Sequence, residues 1–232
     1  IQMAMLPRAE LLAGETRVDL AATMLPAREV GGDLYDFFLL DERRLFFLVG
    51  DVAGKGLSAS IFMAVSKALY KSTTLRTAAP DMGALMTAAN AEVSRDNPQM
   101  LFVSVFAGLL DLDTGELAYC NAGHENPCRL HAADADVRRI VDGDGPPLCV
   151  ADGFAYRGAN VTLRPGEALC VVSDGVTEAL APSGELFGNA RLERVLLGLR
   201  DGARAARAIV DGVCDGVATF VAGAEASDDL TV

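Results

Sequence analysis

Cationic side chains are scarce in this sequence. Twenty Lys and Arg stand against 32 Asp and Glu, a formal net charge of -12 over 232 residues. Phosphate backbones are held mainly through Lys and Arg, so this balance argues against a nucleic-acid partner. An acidic surface does not forbid a phosphorylated substrate, provided that metal ions supply local positive charge. No stretch approaches about 18 uninterrupted apolar residues, so neither a span nor membrane contact is expected. The opening Ile1-Gln2-Met3-Ala4-Met5-Leu6-Pro7 lacks the basic flank and long apolar centre of a secretory signal. The five cysteines (Cys120, Cys128, Cys149, Cys170, Cys214) are odd in number and form no C-x-x-C pair. Most sit in apolar runs, where Cys behaves as a small hydrophobe, and the reading is of reduced thiols in a cytoplasmic protein. No repeat, low-complexity tract or long linker divides the chain. Hydrophobic content of 51% with 22% charged residues is that of a globular protein.

What the chain does contain is a series of short acidic motifs. They read Gly31-Gly32-Asp33-Leu34-Tyr35-Asp36, Gly50-Asp51-Val52-Ala53-Gly54-Lys55-Gly56, Ser173-Asp174-Gly175-Val176-Thr177-Glu178 and Ser227-Asp228-Asp229-Leu230-Thr231-Val232. Each places an Asp beside glycine or at the end of an apolar run, where a strand carries the carboxylate to its tip and the backbone can approach a ligand closely. All-oxygen ligands without His or Cys suit a hard divalent ion such as Mg2+ or Mn2+. Gly50–Gly56 is one residue too short for a phosphate-cradling G-x-x-x-x-G-K-[ST] loop, and Gly56 stands where Ser or Thr is required.

Periodicity places these motifs on a mixed framework. Residues 18–24, 33–40 and 44–49 read as strands, with Asp41-Glu42 as the turn between the last two. Leu57, Ile61, Ala64, Val65, Ala68 and Leu69 recur at helical spacing and predict a helix packed by that face. Pro80-Asp81 opens a second helix running to Val93. Strands resume at 101–110 and 117–121 around an Asp111–Gly115 turn, and a strand at 168–172 leads to Asp174. Helices are predicted at 192–199 and 203–220. The fold class is therefore α+β with largely antiparallel sheets. Residues 1–10 read as the tail of a helix stopped by Pro7, and 11–232 as one domain. Both ends suggest a fragment of something longer, since Leu230-Thr231-Val232 reads as a strand only just begun.

Asp33 opens one strand of a hairpin and Asp51 follows the other. If Asp174 and Asp228 converge on them, four like charges share a site and require cations. Two divalent ions would neutralise them, acidify a bridging water into a nucleophile and bind phosphoryl oxygens, with no Ser, Cys or His nucleophile needed.

These motifs, together with Asn121-Ala122-Gly123-His124-Glu125-Asn126-Pro127 and Phe187-Gly188, resemble the ordered signature of the bacterial SpoIIE/RsbU-type serine phosphatases of the PPM superfamily. The resemblance implies an α/β/β/α sandwich, two antiparallel sheets flanked by helices, with two Mn2+ or Mg2+ ions at one edge. By position, Asp33 and Asp51 resemble the first metal carboxylates, one of them bridging the ions. Val52 would offer its carbonyl, and Asp174 and Asp228 would complete the second metal. Asp36 and Asp229 would orient ligands or waters. It also implies hydrolysis of a phosphoserine or phosphothreonine on a STAS-domain antagonist of an anti-sigma factor. A sensor or receiver domain would precede the phosphatase, with residues 1–10 ending the connecting helix. Ala53 stands where the eukaryotic branch has a histidine, so a metal-bound water is expected to protonate the leaving group. Two other readings stay open: a catalytically silent binding module of the same fold, and a small-molecule phosphoesterase. His124 reads as a structural or site-adjacent turn residue, His131 as surface, and Lys55 as solvated or phosphate-steering.

Overall fold

Alternation of side chains along three consecutive strands sorts this chain into layers. The computed structural model describes residues 2–12, 14–76, 81–95, 97–131, 136–199 and 205–232. After a two-residue strand β1 (Met24–Leu25), β2 (Leu34–Leu39) and β3 (Arg44–Val52) form a hairpin. The Asp41 carboxylate turns it by accepting the N–H groups of Arg43 and Arg44 at 2.9 and 2.8 Å. Leu34 faces Gly50 in the register, so Asp33 and Asp51 come to the same end of the hairpin. β4 (Val103–Asp111) pairs with β3, and β5 (Glu116–Ala122) returns through the expected Asp111–Gly115 turn. β8 (Asp144–Gly145) and β9 (Ala159–Thr162) share the far edge of β5, completing a six-stranded sheet in which only β5 and β8 run parallel.

One face of this sheet is covered by α1 (Leu57–Leu75) and α2 (Met82–Arg95). Leu34, Phe46, Leu48, Val103, Val105 and Ala107 point to that side and pack with Met63, Tyr70, Leu85 and Met86 of the helices. The residues between them point the other way: Tyr35, Phe37, Leu45 and Val49 form a separate core beneath the sheet. Because both faces are covered, β3 reads as nearly continuous apolar sequence.

The second β layer combines β6 (Cys128–Leu130), β7 (Val137–Arg139) and β10 (Ala168–Cys170), in the order β10-β6-β7, with β1 paired to β11 (Leu230–Thr231). The Ser173 N–H donates to the Thr231 carbonyl at 3.0 Å, which joins the two pieces. α4 (Gly188–Gly198) and α5 (Ala206–Val221) pack on the outside through Leu192, Leu196, Ile209, Val213 and Val217. The architecture is thus an α/β/β/α sandwich of mainly antiparallel sheets, as the sequence suggested. Among the described residues, no helix is long and apolar enough to cross a membrane.

Three expectations change. Of residues 18–24, only Met24 enters a strand. Val18–Ala22 and Leu169–Val171 both line a cavity of about 580 Å³, and the ladder to the C-terminal strand begins only at Thr23, which exchanges backbone hydrogen bonds with Val232 at 3.0 and 3.1 Å. The expected packing face of α1 is also inverted: Leu57, Ile61 and Val65 are 69%, 57% and 49% exposed, whereas Ala59, Ser60, Met63, Ser66, Tyr70 and Thr74 are buried. Ser60 and Thr74 sit on the core side with their hydroxyls returned to the helix, Ser60 donating to the Leu57 carbonyl at 3.0 Å and Thr74 to that of Tyr70 at 2.8 Å, whereas Ser66 Oγ and Tyr70 OH are buried without a hydrogen-bond partner. Finally, Gln2–Met5 is a 3-10 turn ending before Pro7, not an α-helical tail. Pro80 and residues 203–204, named in the predicted helix starts, lie outside the described residues.

Candidate functional site

The β2–β3 end of the large sheet meets the start of α3 (Asp174–Thr177) and the approach to β11, and Asp33, Asp51, Asp174 and Asp228 lie close enough there to act on one another's charge. Asp33 is 1% exposed, and one of its oxygens accepts the hydroxyls of Ser173 at 2.7 Å and Thr231 at 2.5 Å. Burial first, and the neighbouring Asp51 second, raise its pKa well above the usual carboxylate range, against the two hydroxyl bonds. Asp51 is pushed up to about 7 by burial and by repulsion from Asp174 and Asp228, with a hydrogen bond to Asp33 opposing the shift. Asp174 rises to about 6 through burial, then Asp228, Glu178 and Glu125. Its Oδ1 is buried without a hydrogen-bond partner. The residue does not end a strand: the chain leaves β10 at Cys170, and Asp174 opens a one-turn helix after Ser173.

Val52 presents its carbonyl to the same place. Its N–H donates to the Gly32 carbonyl at 3.3 Å. A Cβ on Gly32 would stand 2.6 Å from the Val52 carbonyl oxygen and 3.2 Å from Asp51 Oδ1, so only glycine permits this approach. Asp228 lies at the mouth, where Lys55 Nζ meets its Oδ2 at 2.9 Å.

Asp229 and Asp36, both expected to orient ligands or waters, lie in different places. Asp229 is a backbone anchor: it accepts the N–H of Ala27 at 2.8 Å, of Gly32 at 2.7 Å and of Asp33 at 3.5 Å. It thereby fixes the loop that carries Asp33. The fit is close enough that a Cβ on Gly31 would fall 1.8 Å from Asp229 Oδ2. Asp36 does not face the site. It points to the helical side of β2, where Lys67 and Lys71 of α1 approach its Oδ2 at 3.3 and 3.7 Å. Period-two alternation explains this, because Asp36 shares a face with Leu34.

Sequence reasoning overlooked the two hydroxyls that hold Asp33. Ser173 and Thr231 both lie inside quoted motifs, and a buried hydroxyl next to an acid was the available signal. His124 is structural: its Nδ1 pairs with Ser104 Oγ at 3.0 Å, and the Asn121 side chain clamps its N–H and carbonyl at 2.8 and 3.0 Å. Burial pushes its pKa down to about 4, and the Val172 carbonyl approaches without giving Nε2 a well-formed hydrogen bond. His131 is not free at the surface but pairs with Glu167 at 3.0 Å.

The donor set fits hard divalent ions. It offers carboxylates whose pKa is raised by burial first and by neighbouring acids second, a buried orphan oxygen on Asp174 and a backbone carbonyl beside a glycine cradle. Among the described residues, no three acidic, imidazole or thiol side chains form a ready-made cage.

The family model for Stage II sporulation protein E (SpoIIE) matches residues 41–232. Protein IcfG of Synechocystis sp. is 28% identical over 200 residues, covering 75% of this chain and 31% of that protein. Phosphoserine phosphatase RsbU of Bacillus subtilis is 26% identical over 172 residues, covering 74% and 50%. The chain therefore spans about a third to a half of the length of these relatives. The solved SiaA-PP2C domain of Pseudomonas aeruginosa superposes with a TM-score of 0.82 at 20% identity, covering 99% of this chain and 90% of that one. At that identity the likeness concerns the fold.

Proposed function

The chain belongs to the SpoIIE family, and we propose that it is a divalent-ion-dependent phosphatase domain acting on phosphoserine or phosphothreonine in a partner protein. The observation that carries this reading is the concentration of carboxylates at one edge of the sandwich, with Asp51 at about 7 and an unpartnered buried oxygen on Asp174. A fold that tolerates such repulsion without a matching cation is strained there, and a divalent ion relieves it.

In this reading Asp33, Asp51, the Val52 carbonyl, Asp174 and Asp228 hold two Mg2+ or Mn2+ ions. Bound there, the ions would supply Lewis acidity to a phosphoryl group and lower the pKa of a water that attacks it. The protein's part is preorganisation. Ser173 and Thr231 orient Asp33 through its oxygen. Asp229 holds the backbone of the Gly31–Asp33 loop, so the carboxylate does not reorganise when charge develops. No imidazole takes part: His124 is buried and neutral at neutral pH, and Ala53 carries no titratable group. Protonation of the departing serine oxygen is therefore assigned to solvent held at the site.

A STAS-domain antagonist of an anti-sigma factor is the proposed substrate, with a sensor or receiver domain elsewhere in a longer protein and a cytoplasmic location. The phosphoserine specificity in RsbU's name supports the substrate chemistry. The free thiols of Cys120, Cys128, Cys149, Cys170 and Cys214 suit a reducing compartment.

The test is hydrolysis of an aryl phosphate with Mn2+ and with chelator, for the wild type and Asp174→Asn. Ion-dependent turnover that disappears in the variant supports the reading. Absence of turnover together with absence of ion binding by calorimetry would overturn it in favour of a silent binding module. Turnover of small esters matching that of a phosphoprotein would point instead to a small-molecule phosphoesterase.

A further inference from the structure

Lys55 has no part in the assignment above, yet its ammonium pairs with one of the proposed ion ligands, Asp228. It lies three residues beyond Val52, in the loop between β3 and α1. From there its Nζ reaches Asp228 Oδ2 at 2.9 Å and donates to the Ser227 carbonyl. The other Asp228 oxygen accepts the N–H of Asp229 at 2.9 Å. Both oxygens of a carboxylate proposed to bind an ion are thus engaged within the protein. The Lys55 and Asp228 side chains remain 40% and 34% exposed. An ion pair this open is weak and exchanges readily.

A divalent ion on Asp228 and an ammonium beside its Oδ2 repel one another, so ion binding there disfavours the Lys55 contact. The loop that carries Lys55 is anchored two residues earlier, where the Ala53 N–H is bonded to the Phe102 carbonyl at 2.8 Å. The released ammonium is therefore confined to within one side-chain length of the site. The nearest new anion there is a phosphoryl group. A compact charge on a flexible stem suits such a change of partner better than a planar guanidinium would.

We propose that Lys55 is a positioning residue with two alternating partners: Asp228 while the site holds no ion, and the substrate phosphoryl group once a divalent ion has taken Asp228. This rests on the function proposed above. In the first state Lys55 competes with the ion, and in the second it orients phosphate.

The experiment compares wild type, Lys55→Gln and Lys55→Arg in two calorimetric titrations, first with Mn2+ alone and then with inorganic phosphate added to the Mn2+-loaded proteins. Lys55→Gln should bind Mn2+ about two- to fivefold more tightly, the range of a lost exposed ion pair. Its phosphate affinity should fall about tenfold or more, as for loss of a charge-assisted hydrogen bond. Lys55→Arg should retain the competition with Mn2+. Unchanged or weaker Mn2+ binding by Lys55→Gln, or unchanged phosphate binding, overturns the proposal. A wild type that binds no Mn2+ overturns the phosphatase reading as well. A wild type that binds Mn2+ beside an unresponsive Lys55→Gln overturns the role of Lys55 alone. Circular dichroism of each variant with chelator verifies that the exposed substitution leaves the fold intact.

Discussion

Neutralising Asp51 should stabilise the ion-free protein while removing its response to metal. Its carboxyl has a pKa of about 7 in the fold, against an ordinary value of 3.8. A raised carboxylate pKa means that the folded chain binds more protons than the unfolded chain between these values. The resulting stabilisation is complete below about pH 4 and is lost as pH rises through about 7. A rise of that size corresponds to a cost of about 4 kcal/mol at pH 8. Asp51→Asn removes that cost and forfeits part of a hydrogen bond with Asp33, leaving a gain of about 3 kcal/mol. For a domain of this size the gain raises Tm by roughly 6 to 12 °C. The assay is thermal unfolding in chelator at pH 8 and pH 5.5, repeated with excess Mn2+ at pH 8. Wild type should unfold at a higher temperature at pH 5.5 than at pH 8 in chelator, and Mn2+ should recover the difference. Asp51→Asn should be more stable than wild type at pH 8 and indifferent to Mn2+. A variant no more stable than wild type in chelator at pH 8 would refute the argument that repulsion among these carboxylates strains the fold.

Other perturbations separate the roles of the neighbouring acids. Asp229→Ala leaves the Ala27 and Gly32 N–H groups without their acceptor and should cost about 2 to 4 kcal/mol in urea unfolding, with activity lost alongside. Asp36→Asn breaks the contact with Lys67 and Lys71, so it should lower stability by about 1 to 3 kcal/mol yet leave calorimetric Mn2+ affinity within about twofold. The pH–rate profile should show no imidazole limb between pH 5 and 7, since His124 titrates near 4; a limb abolished by His124→Gln would contradict the assignment of leaving-group protonation to solvent.

The site could be read in the sequence to the extent that backbone geometry alone determines it. Asp33 and Asp51 flank a hairpin whose register follows from alternation and from the Asp41 turn, so their meeting was foreseeable. Asp36 departs from its expected role because an acid within a motif need not serve that motif's ligand. The same strand that brings Asp33 to its tip sends Asp36 to the opposite layer, and that difference emerges only when the face is counted. Asp229 is adjacent to Asp228 but turns to the backbone of a loop some 200 residues away, a partner that no local pattern announces. The inverted face of α1 has a subtler origin. Small hydroxyl residues can line a core when they bond back to their own helix, so an apolar stripe does not by itself say which side is covered.

The bonds that assemble the site join residues very far apart along the chain. Asp229 holds Ala27, Gly32 and Asp33 across separations of 202, 197 and 196 residues, and Thr231 reaches Asp33 across 198. Closing a loop of that length costs about 5 kcal/mol of chain entropy, to be met before any of these contacts returns a gain. Contacts of such long range form slowly and late. Asp33 and Asp51 can therefore be brought together by a hairpin early in folding, while Asp174 and Asp228 join only when the first and last segments meet. The onset of ion binding would then mark the final step of folding, and a partly folded chain would hold half a site with no means of closing it.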